Sequence, residues 1–416
     1  MELTKYSFGT GDRFARQGTA QLKSIIQAKE KGVHISPVWN KSYREHEIIG
    51  TSPEEVRREA DQAIEAAGWD DPYFVDADHI GMNTVDYFLD SSDFFTIDVA
   101  DYIGMSAGDE AIDNFVDKHS SLIGSVKIPG IDAPFEISER KMREVAADFL
   151  KAISEVDTVY SYILENKEGS RPVIEVSMDE VEDPQTPPEL LLILRMLADY
   201  EIELDTIALK FSGRFNKGVD YAGDVSEFAR EFEQDLLVIE YATKEFGLPD
   251  RLKLSVHSGS DKFSLYDPIH ELLNKHDKGL HLKTAGTTWL EELIGLALSG
   301  EEGAQIVKDI YREALSRYDE LTAPYLTVID ISTALLPIAD EVDNWSGEKL
   351  ANTLRHNPDH PDFNPNFRQL VHCAYKIAGE MGTTYTDALE ANADIIGENV
   401  TENLYDRHIK PLFIGE

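Results

Sequence analysis

The stretch LKLSVHSGSDKF, residues 252–263, combines an apolar strand with a chemically reactive end. Apolar and polar residues alternate up to Val256, which predicts a β-strand, and the strand leads directly into His257 and a loop of small polar residues. Parallel-sheet enzymes keep their active sites at such strand ends, because the loops vary while the strands hold them rigid. An isolated histidine in this position is more often a hydrogen-bonded core residue. The interpretation of His257 therefore depends on whether other strands end in the same way.

Apolar strands that end in polar or charged residues recur along the chain, with helical patterns between the strands. Eight strands alternating with helices predict a parallel sheet, and their number favours a closed (β/α)8 TIM-type barrel over an open doubly wound sheet, which is the alternative. Residues 301–416 read mainly as helices, so we expect a barrel domain over 1–300 and a helical C-terminal extension over 301–416 packed on it. The predicted strands are Lys5–Phe8, Val33–Val38, Tyr73–Asp78, Phe94–Val99, Pro172–Val176, Thr206–Phe211, Leu252–Val256 and Leu280–Thr284.

Composition excludes several classes of function. The net charge of -39 disfavours nucleic acid and anionic membrane surfaces as partners, because both require basic patches. No apolar run approaches the length of a membrane span and the N-terminus lacks the pattern of a signal peptide, so a cytoplasmic location is expected. The single cysteine, Cys373, leaves no Cys-based metal site. Composition does not decide the oligomeric state.

The first strand runs into the sequence GTGDRF, residues 9–14. Glycines ahead of a helix let backbone N–H groups approach an anion, and Arg13 adds a bidentate donor beside Asp12. The spacing completes no dinucleotide fingerprint, so we expect a carboxylate or hydroxyl contact here. A later helix has clear predicted ends, since Ser52 and Glu55 have the spacing of a capping box and Gly68 is suited to end the helix.

Two other strand ends carry carboxylates. The third predicted strand ends in Asp76, Asp78 and His79, which suit a divalent metal or a mutually tuned acid and base; a turn with a helix cap is the competing interpretation. Glu175 lies inside the apolar run PVIEV, where a carboxylate is costly unless it is paired or bound to a cation.

Cationic groups follow the later strands. Lys210 lies between Leu209 and Phe211, and Arg214 and Lys217 follow in the next loop, where a solvated loop is the alternative for both. The last predicted strand, LHLKT, carries His281 and Lys283.

Carboxylates and histidines without cysteine suit a divalent ion with open coordination positions, such as zinc, manganese, nickel or cobalt. On a barrel that also offers Lys and Arg, such an ion fits enolate chemistry on a hydroxy-carbonyl substrate. Aldolases, isomerases and epimerases all use this kind of enolate chemistry.

Several long blocks identify a family. GTGDRFARQGTAQL, NKSYREHEIIGTSPEEVR, FVDADHI, ALKFSGRFNKGVDY, LSVHSGSDKFSLY and HLKTAGTTWLEE resemble the tagaturonate epimerase family, whose enzymes interconvert D-tagaturonate and D-fructuronate in hexuronate catabolism. The resemblance runs from about residue 9 to at least residue 292. It implies a metal-dependent sugar-acid epimerase. The roles of individual residues below come from their position and chemistry.

The two ketouronates differ at the carbon β to the keto group, which α-proton abstraction cannot invert. Retro-aldol cleavage, rotation of the aldehyde and re-addition on its other face would invert it. We assign the metal to Asp78, Glu175, His257 and His281. Proton transfer is assigned to Lys210 or Asp76, with His79, and the carboxylate to Arg13, Arg214 and Lys217. The remaining candidate substrate contacts are Asp12, Gln17, Ser258, Asp261 and Lys283.

Three alternatives remain open. Transient oxidation and re-reduction is a rival route, but it needs a nicotinamide site for which the sequence has no motif. A metal-dependent aldolase or isomerase of another sugar acid or ketose would use the same strand ends. A non-catalytic sugar-binding protein would retain the Arg and Lys contacts without needing a metal.

Overall fold

Eight parallel strands close into a barrel in the computed structural model, which describes residues 2–284 and 286–416. Neighbours around the barrel follow chain order, and the last strand pairs with the first, so the predicted (β/α)8 barrel is confirmed. An antiparallel hairpin of two short strands lies in the excursion after the fourth strand. The strands are β1 Tyr6–Gly11, β2 Ile35–Ser42, β3 Phe74–Ile80, β4 Phe94–Asp98, β5 Gly124–Val126, β6 Phe135–Ile137, β7 Val173–Ser177, β8 Thr206–Ala208, β9 Lys253–His257 and β10 Leu280–Lys283, with β5 and β6 forming the hairpin.

Helices surround the barrel and make up most of the C-terminal part. They are α1 Gly18–Glu30, α2 Tyr43–Ile49, α3 Pro53–Ala67, α4 Asp109–Lys118, α5 Glu139–Asn166, α6 Pro187–Asp199, α7 Val225–Phe246, α8 Tyr266–His276, α9 Thr287–Leu298, α10 Glu301–Ser316, α11 Tyr318–Thr322, α12 Ala339–Val342, α13 Gly347–Leu354, α14 Pro365–Cys373, α15 Tyr375–Met381, α16 Thr383–Ala391 and α17 Ala393–Glu402. A π-helical segment, Asn403–Ile414, follows α17, and short 3₁₀ turns occupy Val85–Tyr87, Ala100–Tyr102, Ser120–Leu122, Phe263–Leu265, Ala323–Tyr325 and Thr333–Leu335.

The barrel interior is layered by polarity. Val38, Phe74, Phe94 and Val173 form a buried apolar cluster at one level of the interior. Alternation places the inward-facing residues of the next two levels two and four positions further along each strand, and most of these are polar. The apolar level therefore lies below the polar side chains that collect at the C-terminal ends of the strands.

The glycines of GTGDRF lie within β1, where we had expected a loop in front of a helix. Gly9 pairs with Lys283 on one side and Val38 on the other, and α1 begins only at Gly18. A Cβ at Gly9 would lie 2.8 Å from the Lys283 Cγ atom, so the glycine makes room for a lysine inside the barrel. The two glycines therefore do not form a loop in front of a helix, because the strand continues through both of them.

The capping box also differs from the prediction. Helix α3 begins at Pro53 and ends at Gly68 in the left-handed region, as predicted, but the Ser52 side chain makes no capping hydrogen bond. The box forms instead at Ser42 and Glu45, where α2 starts. Both pairs have the same spacing, so the sequence alone does not distinguish them.

The C-terminal helices pack against the barrel's outer helices. Helix α17 contacts α1 and α9, and the π-helical segment contacts α1 and α8. In the part of the chain that the structure describes, we find no helix long and apolar enough to cross a membrane.

Candidate active site

Strands β3, β7, β9 and β10 deliver charged side chains to one place in the mouth of the barrel. Because every second residue of a strand faces inward, side chains two residues apart share the interior. We refer to this group as the barrel centre; its members are Asp76, Asp78, His79, Glu175, Asp179, His257 and Lys283.

Lys283 lies among three carboxylates in the barrel centre. Its Nζ atom is 2.7 Å from Asp76 Oδ2, 2.9 Å from Asp78 Oδ1 and 2.9 Å from Glu175 Oε1. It also donates a hydrogen bond to Thr96 Oγ1 at 2.5 Å. Burial alone would lower the pKa of Lys283, but the surrounding carboxylates raise it well above its usual value. The ammonium group therefore stays charged and holds the carboxylates together.

His79, Asp179 and His257 face one another beside Lys283. Asp179 Oδ1 lies 3.1 Å from His257 Nδ1 and 3.5 Å from His79 Nε2, and one potential ligand atom of each residue lies within 4.8 Å of the others. The outer ring nitrogens are backed by carboxylates, with His257 Nε2 at 2.9 Å from Glu175 and His79 Nδ1 at 2.9 Å from Asp78. Metal-binding histidines are commonly oriented by such carboxylate partners. The three residues could hold a metal ion.

The electrostatics of the barrel centre favour a positive charge between the histidines. Burial lowers the pKa of His257, but Asp179 and Glu175 outweigh this effect and raise it to about 9. Burial likewise opposes ionisation of Asp179, yet His257 and His79 hold its pKa well below the usual value. Lys283 and the two histidines, when protonated, balance three of the four carboxylates of the centre. A divalent cation would replace the protons of the two histidines and supply the same charge.

Two local features of the histidines suit ligand binding. His257 Nδ1 is buried and has no hydrogen-bond partner within residues 2–284 and 286–416, since its contact with Asp179 lacks hydrogen-bond geometry. His79 has a φ of 52°, a left-handed conformation that few residues other than glycine adopt. Such strain is concentrated at functional sites in proteins. The fold thus holds both rings with an inner nitrogen facing Asp179.

Asp76 and His281 lie deeper in the barrel. Burial raises the pKa of Asp76; Lys283 lowers it, Asp78 and Glu175 raise it, and the net value is about 7. His281 was predicted to bind the metal, but its Nδ1 lies 2.9 Å from Ser7 Oγ and burial lowers its pKa to about 3. The structure brings Asp76 to Lys283 and places His281 outside the group formed by His79, Asp179 and His257.

Asp12, Arg13 and Gln17 lie together at the end of β1. Asp12 accepts hydrogen bonds from the Arg16 and Gln17 backbone N–H groups at 2.9 Å and 2.6 Å, so it organises the turn before α1. Gln17 donates to Glu292 at 3.2 Å. Arg13 donates to Glu45 at 3.0 Å, and its guanidinium lies 3.9 Å from the centre of the Tyr375 ring. All three predicted substrate contacts have protein partners, and Arg13 retains free donor capacity.

Ser258 and Asp261, both predicted to bind substrate, are buried in internal contacts. Ser258 Oγ donates to the backbone carbonyl of Lys283 at 2.7 Å and ties β9 to β10. Asp261 lies outside the barrel centre in a second buried group, which we refer to as the Asp261 cluster. Its oxygens contact Arg368 Nη2 at 2.6 Å, His356 Nδ1 at 3.1 Å and His408 Nε2 at 3.2 Å.

The three predicted cations after β8 occupy different places. Lys210 is half-buried beyond the end of β8, and its backbone N–H donates to Gln185 at 2.8 Å. Arg214 is exposed and donates to the Ile329 backbone carbonyl at 3.0 Å. Lys217 is half-buried, and a Cβ at Gly259 would lie 3.6 Å from its Nζ atom. Lys217 therefore lies against the loop that follows His257, whereas Arg214 points towards the C-terminal part.

Asp179 was missed from the sequence, although a signal for it existed. It lies in the acidic loop after β7, where Asp and Glu are common and nothing marks one of them. Glu175, Ser177 and Asp179 are two residues apart, however, so all three continue the inward-facing pattern of β7. The Ser177 Oγ atom lies 2.5 Å from Asp179 Oδ1. Continuing the inward-facing pattern two residues past the strand would have identified Asp179.

Comparisons with known proteins identify the family of this chain. A family model described as tagaturonate epimerase matches residues 1–387. A tagaturonate/fructuronate epimerase from Thermotoga maritima is 28% identical over 426 residues, an alignment that covers 97% of this chain and 80% of the relative.

Solved structures share the fold. The fructuronate-tagaturonate epimerase UxaE from Cohnella laeviribosi, in a complex with one glycerol, has a TM-score of 0.82 at 22% identity over 99% of this chain and 82% of its own. The native crystal structure of the same enzyme has a TM-score of 0.78 at 23% identity over 99% and 82%. With a family model that spans nearly the whole barrel and most of the C-terminal helices, this chain belongs to the tagaturonate epimerase family, enzymes of the isomerase class.

Proposed function

We propose that this chain interconverts D-tagaturonate and D-fructuronate by inverting the carbon β to the keto group. The family match over residues 1–387 carries the proposal. The barrel centre supports it, because it combines a possible cation site, a charged lysine and a carboxyl group of raised pKa in one buried place. These are the groups that an enolate reaction on a hydroxy-ketone requires.

We further propose that the enzyme depends on a divalent metal ion, with zinc, manganese, nickel and cobalt as candidates. His79 Nε2, Asp179 Oδ1 and His257 Nδ1 would hold the ion, whereas Asp78 and Glu175, which we had assigned as ligands, would orient the two histidines. The His257 Nδ1 atom, which lacks a hydrogen bond, and the Asp179 carboxylate between the two histidines fit such an ion. When bound, the ion would polarise the keto group of the substrate.

The proposed chemistry is a retro-aldol cleavage followed by an aldol addition. Removal of the β-hydroxyl proton allows the bond between the α and β carbons to break, and its electron pair passes through the α carbon to the keto oxygen. This gives an enediolate and an aldehyde. Rotation of the aldehyde and re-formation of the same bond on its other face invert the β carbon, and the proton returns to the hydroxyl oxygen. Atoms and charge balance without a second substrate.

Asp76 and Lys283 are proposed to act directly in these steps. The Asp76 carboxyl has a pKa of about 7, so it can accept and return the hydroxyl proton near neutral pH. Lys283 places a permanent positive charge 2.7 Å from Asp76, where it can stabilise a developing oxyanion. Lys210, half-buried at the rim, remains the second candidate for the proton.

The direct test is turnover of D-tagaturonate by the purified protein, followed by proton NMR in D2O. We expect D-fructuronate to accumulate without deuterium at the inverted carbon. EDTA treatment should abolish the reaction, and one of the four divalent ions should restore it. His257→Ala should lose both metal and activity while the barrel still folds, and His276→Ala serves as the matched control on the outer helix α8.

The other outcomes separate the alternatives. Absence of fructuronate would remove the epimerase proposal, and net release of a three-carbon ketone and aldehyde would indicate an aldolase. Binding of the sugar acid without turnover, unchanged by EDTA, would indicate a binding protein. A primary isotope effect with substrate deuterated at the β carbon would favour transient oxidation, because only that route breaks this C–H bond.

A further inference from the structure

A buried histidine without a hydrogen-bond partner lies between α14 and the start of α9. Neither ring nitrogen of His372 has a partner among the residues that the structure describes, and the side chain is buried. A Cβ at Gly286 would lie 2.3 Å from His372 Nε2 and 3.3 Å from Arg13 Nη2. Gly286, with a φ of +90°, therefore lets the imidazole and the guanidinium approach the same point of the backbone. The mechanism proposed above does not use His372.

Positive charge surrounds this histidine. Burial lowers the pKa of His372, and the charges of Arg13 and Lys217 lower it further, to well below its usual value. Arg13 is committed through Nε to Glu45, but Nη2 faces the Gly286 side. We find no ion-pair partner for Lys217 in the described part of the chain. In a protein with a net charge of -39, such an arrangement is suited to binding an anion.

The start of α9 lies beside this histidine. Helix α9 has twelve residues and begins after Gly286 without a side-chain cap, and the Thr287 N–H group donates to the Thr284 carbonyl at 3.2 Å. The loops after the seventh and eighth barrel strands, with a nearby helix N-terminus, form the usual anion site of TIM barrels. Gly259 and Gly286 lie in these two loops, two and three residues after His257 and Lys283. The same two loops follow the strands that carry His257 and Lys283.

We propose that Arg13, Lys217 and His372, beside the start of α9, bind the carboxylate of the sugar acid. The neutral imidazole donates its N–H group to one carboxylate oxygen, and the two cations supply the charge. His372 thereby makes the enzyme prefer an acid over a neutral ketose. The inference rests on the proposed function, and it gives the C-terminal extension, residues 301–416, a part in substrate binding in addition to packing on the barrel of residues 1–300.

The test compares two unreactive ligands, D-galactonate and galactitol, by calorimetry on the metal-loaded protein. We expect the wild type to bind galactonate more tightly. His372→Asn and Lys217→Met should each weaken galactonate binding about tenfold, the effect of losing one hydrogen bond or ion pair to a charged group. Galactitol binding should not change. With tagaturonate, KM should rise while kcat stays near the wild-type value.

His276→Asn provides the matched control, because it makes the same change in a histidine paired with Glu233 on the outside of the barrel. The inference is overturned if both variants bind galactonate as tightly as the wild type does. It is also overturned if the variants bind galactonate and galactitol more weakly by the same factor, because that would indicate a purely structural role for the two residues. The proposed function has a separate outcome. A wild type that prefers galactonate but does not convert tagaturonate would contradict the epimerase and leave the carboxylate pocket supported.

Discussion

The barrel centre and the Asp261 cluster are both buried groups of charged residues, but they differ in how completely they are paired. Each oxygen of Asp261 has partners, with Arg368 and His356 on one and His408 on the other. In the barrel centre, His257 Nδ1 lacks a hydrogen bond among the described residues and His79 has a left-handed backbone. Burying charges is costly in both places.

The difference teaches which buried charges belong to the scaffold and which to chemistry. A fully paired carboxylate has no capacity left for a ligand, so the Asp261 cluster holds the loop after β9 against the C-terminal helices. The left-handed backbone of His79 and the missing hydrogen bond at His257 Nδ1 do not benefit the structure of the barrel centre. Unused capacity of this kind is expected where a protein binds something else.

The largest effect on stability is expected at Arg368. Arg368→Met leaves the Asp261 carboxylate buried without its strongest partner, which should cost about 3–5 kcal/mol of unfolding free energy. Chemical denaturation followed by circular dichroism measures this loss. The activity per folded molecule should change little. Arg143→Met, which breaks an exposed pair with Asp113, should leave the denaturation midpoint unchanged. An equal loss of unfolding free energy in both variants would contradict a structural role for the Asp261 cluster.

A smaller effect is expected from loss of one histidine partner in the barrel centre. Glu175→Gln removes the carboxylate that orients His257 and should lower metal affinity or kcat/KM by about 10–100-fold. Metal titration and steady-state kinetics measure both quantities. Glu233→Gln makes the same change in the outer pair with His276 and should have no effect on either. A wild-type metal affinity in Glu175→Gln would argue against His257 as a ligand.

The effect that is smallest at neutral pH concerns a buried histidine outside both clusters. Burial lowers the pKa of His46 to about 3, so the unfolded chain binds a proton between about pH 6.5 and 3 that the folded chain does not. Its contribution to stability is therefore lost as the pH falls, by about 1.4 kcal/mol per pH unit. His46→Gln should reduce the slope of unfolding free energy against pH in this range. The same change at the exposed His34 should not alter the slope, and equal slopes in all three proteins would contradict the prediction.

Alternation and strand-end chemistry were sufficient to predict the barrel. All eight strands are where the sequence placed them, within a few residues, because their apolar runs are interrupted by helical patterns. The inward direction of Asp76, Glu175 and Lys283 also follows from alternation, since one-residue shifts would turn them out of the barrel. The sequence therefore contained the fold and much of the barrel centre.

Pairing among distant residues was beyond the sequence. His257 ends β9 and Asp261 follows it four residues later. Only the contacts of Asp261 with Arg368 and His408, more than a hundred residues later, distinguish this scaffold carboxylate from a ligand. His372 likewise reaches the Gly286 loop from a helix whose position is set by packing. Local sequence patterns do not predict such contacts, because the contacts depend on how the C-terminal helices pack against the barrel.

The most direct measurement is anomalous diffraction from crystals grown or soaked with manganese or zinc. The account predicts one ion bound by His79, Asp179 and His257, with ligand distances of roughly 2.0–2.2 Å for zinc. Lys283 should remain with Asp76, Asp78 and Glu175, and the Asp261 cluster should bind no ion. An ion held by Asp78, Glu175 and His281 with Lys283 displaced, or no ion at His257, would contradict the assignment.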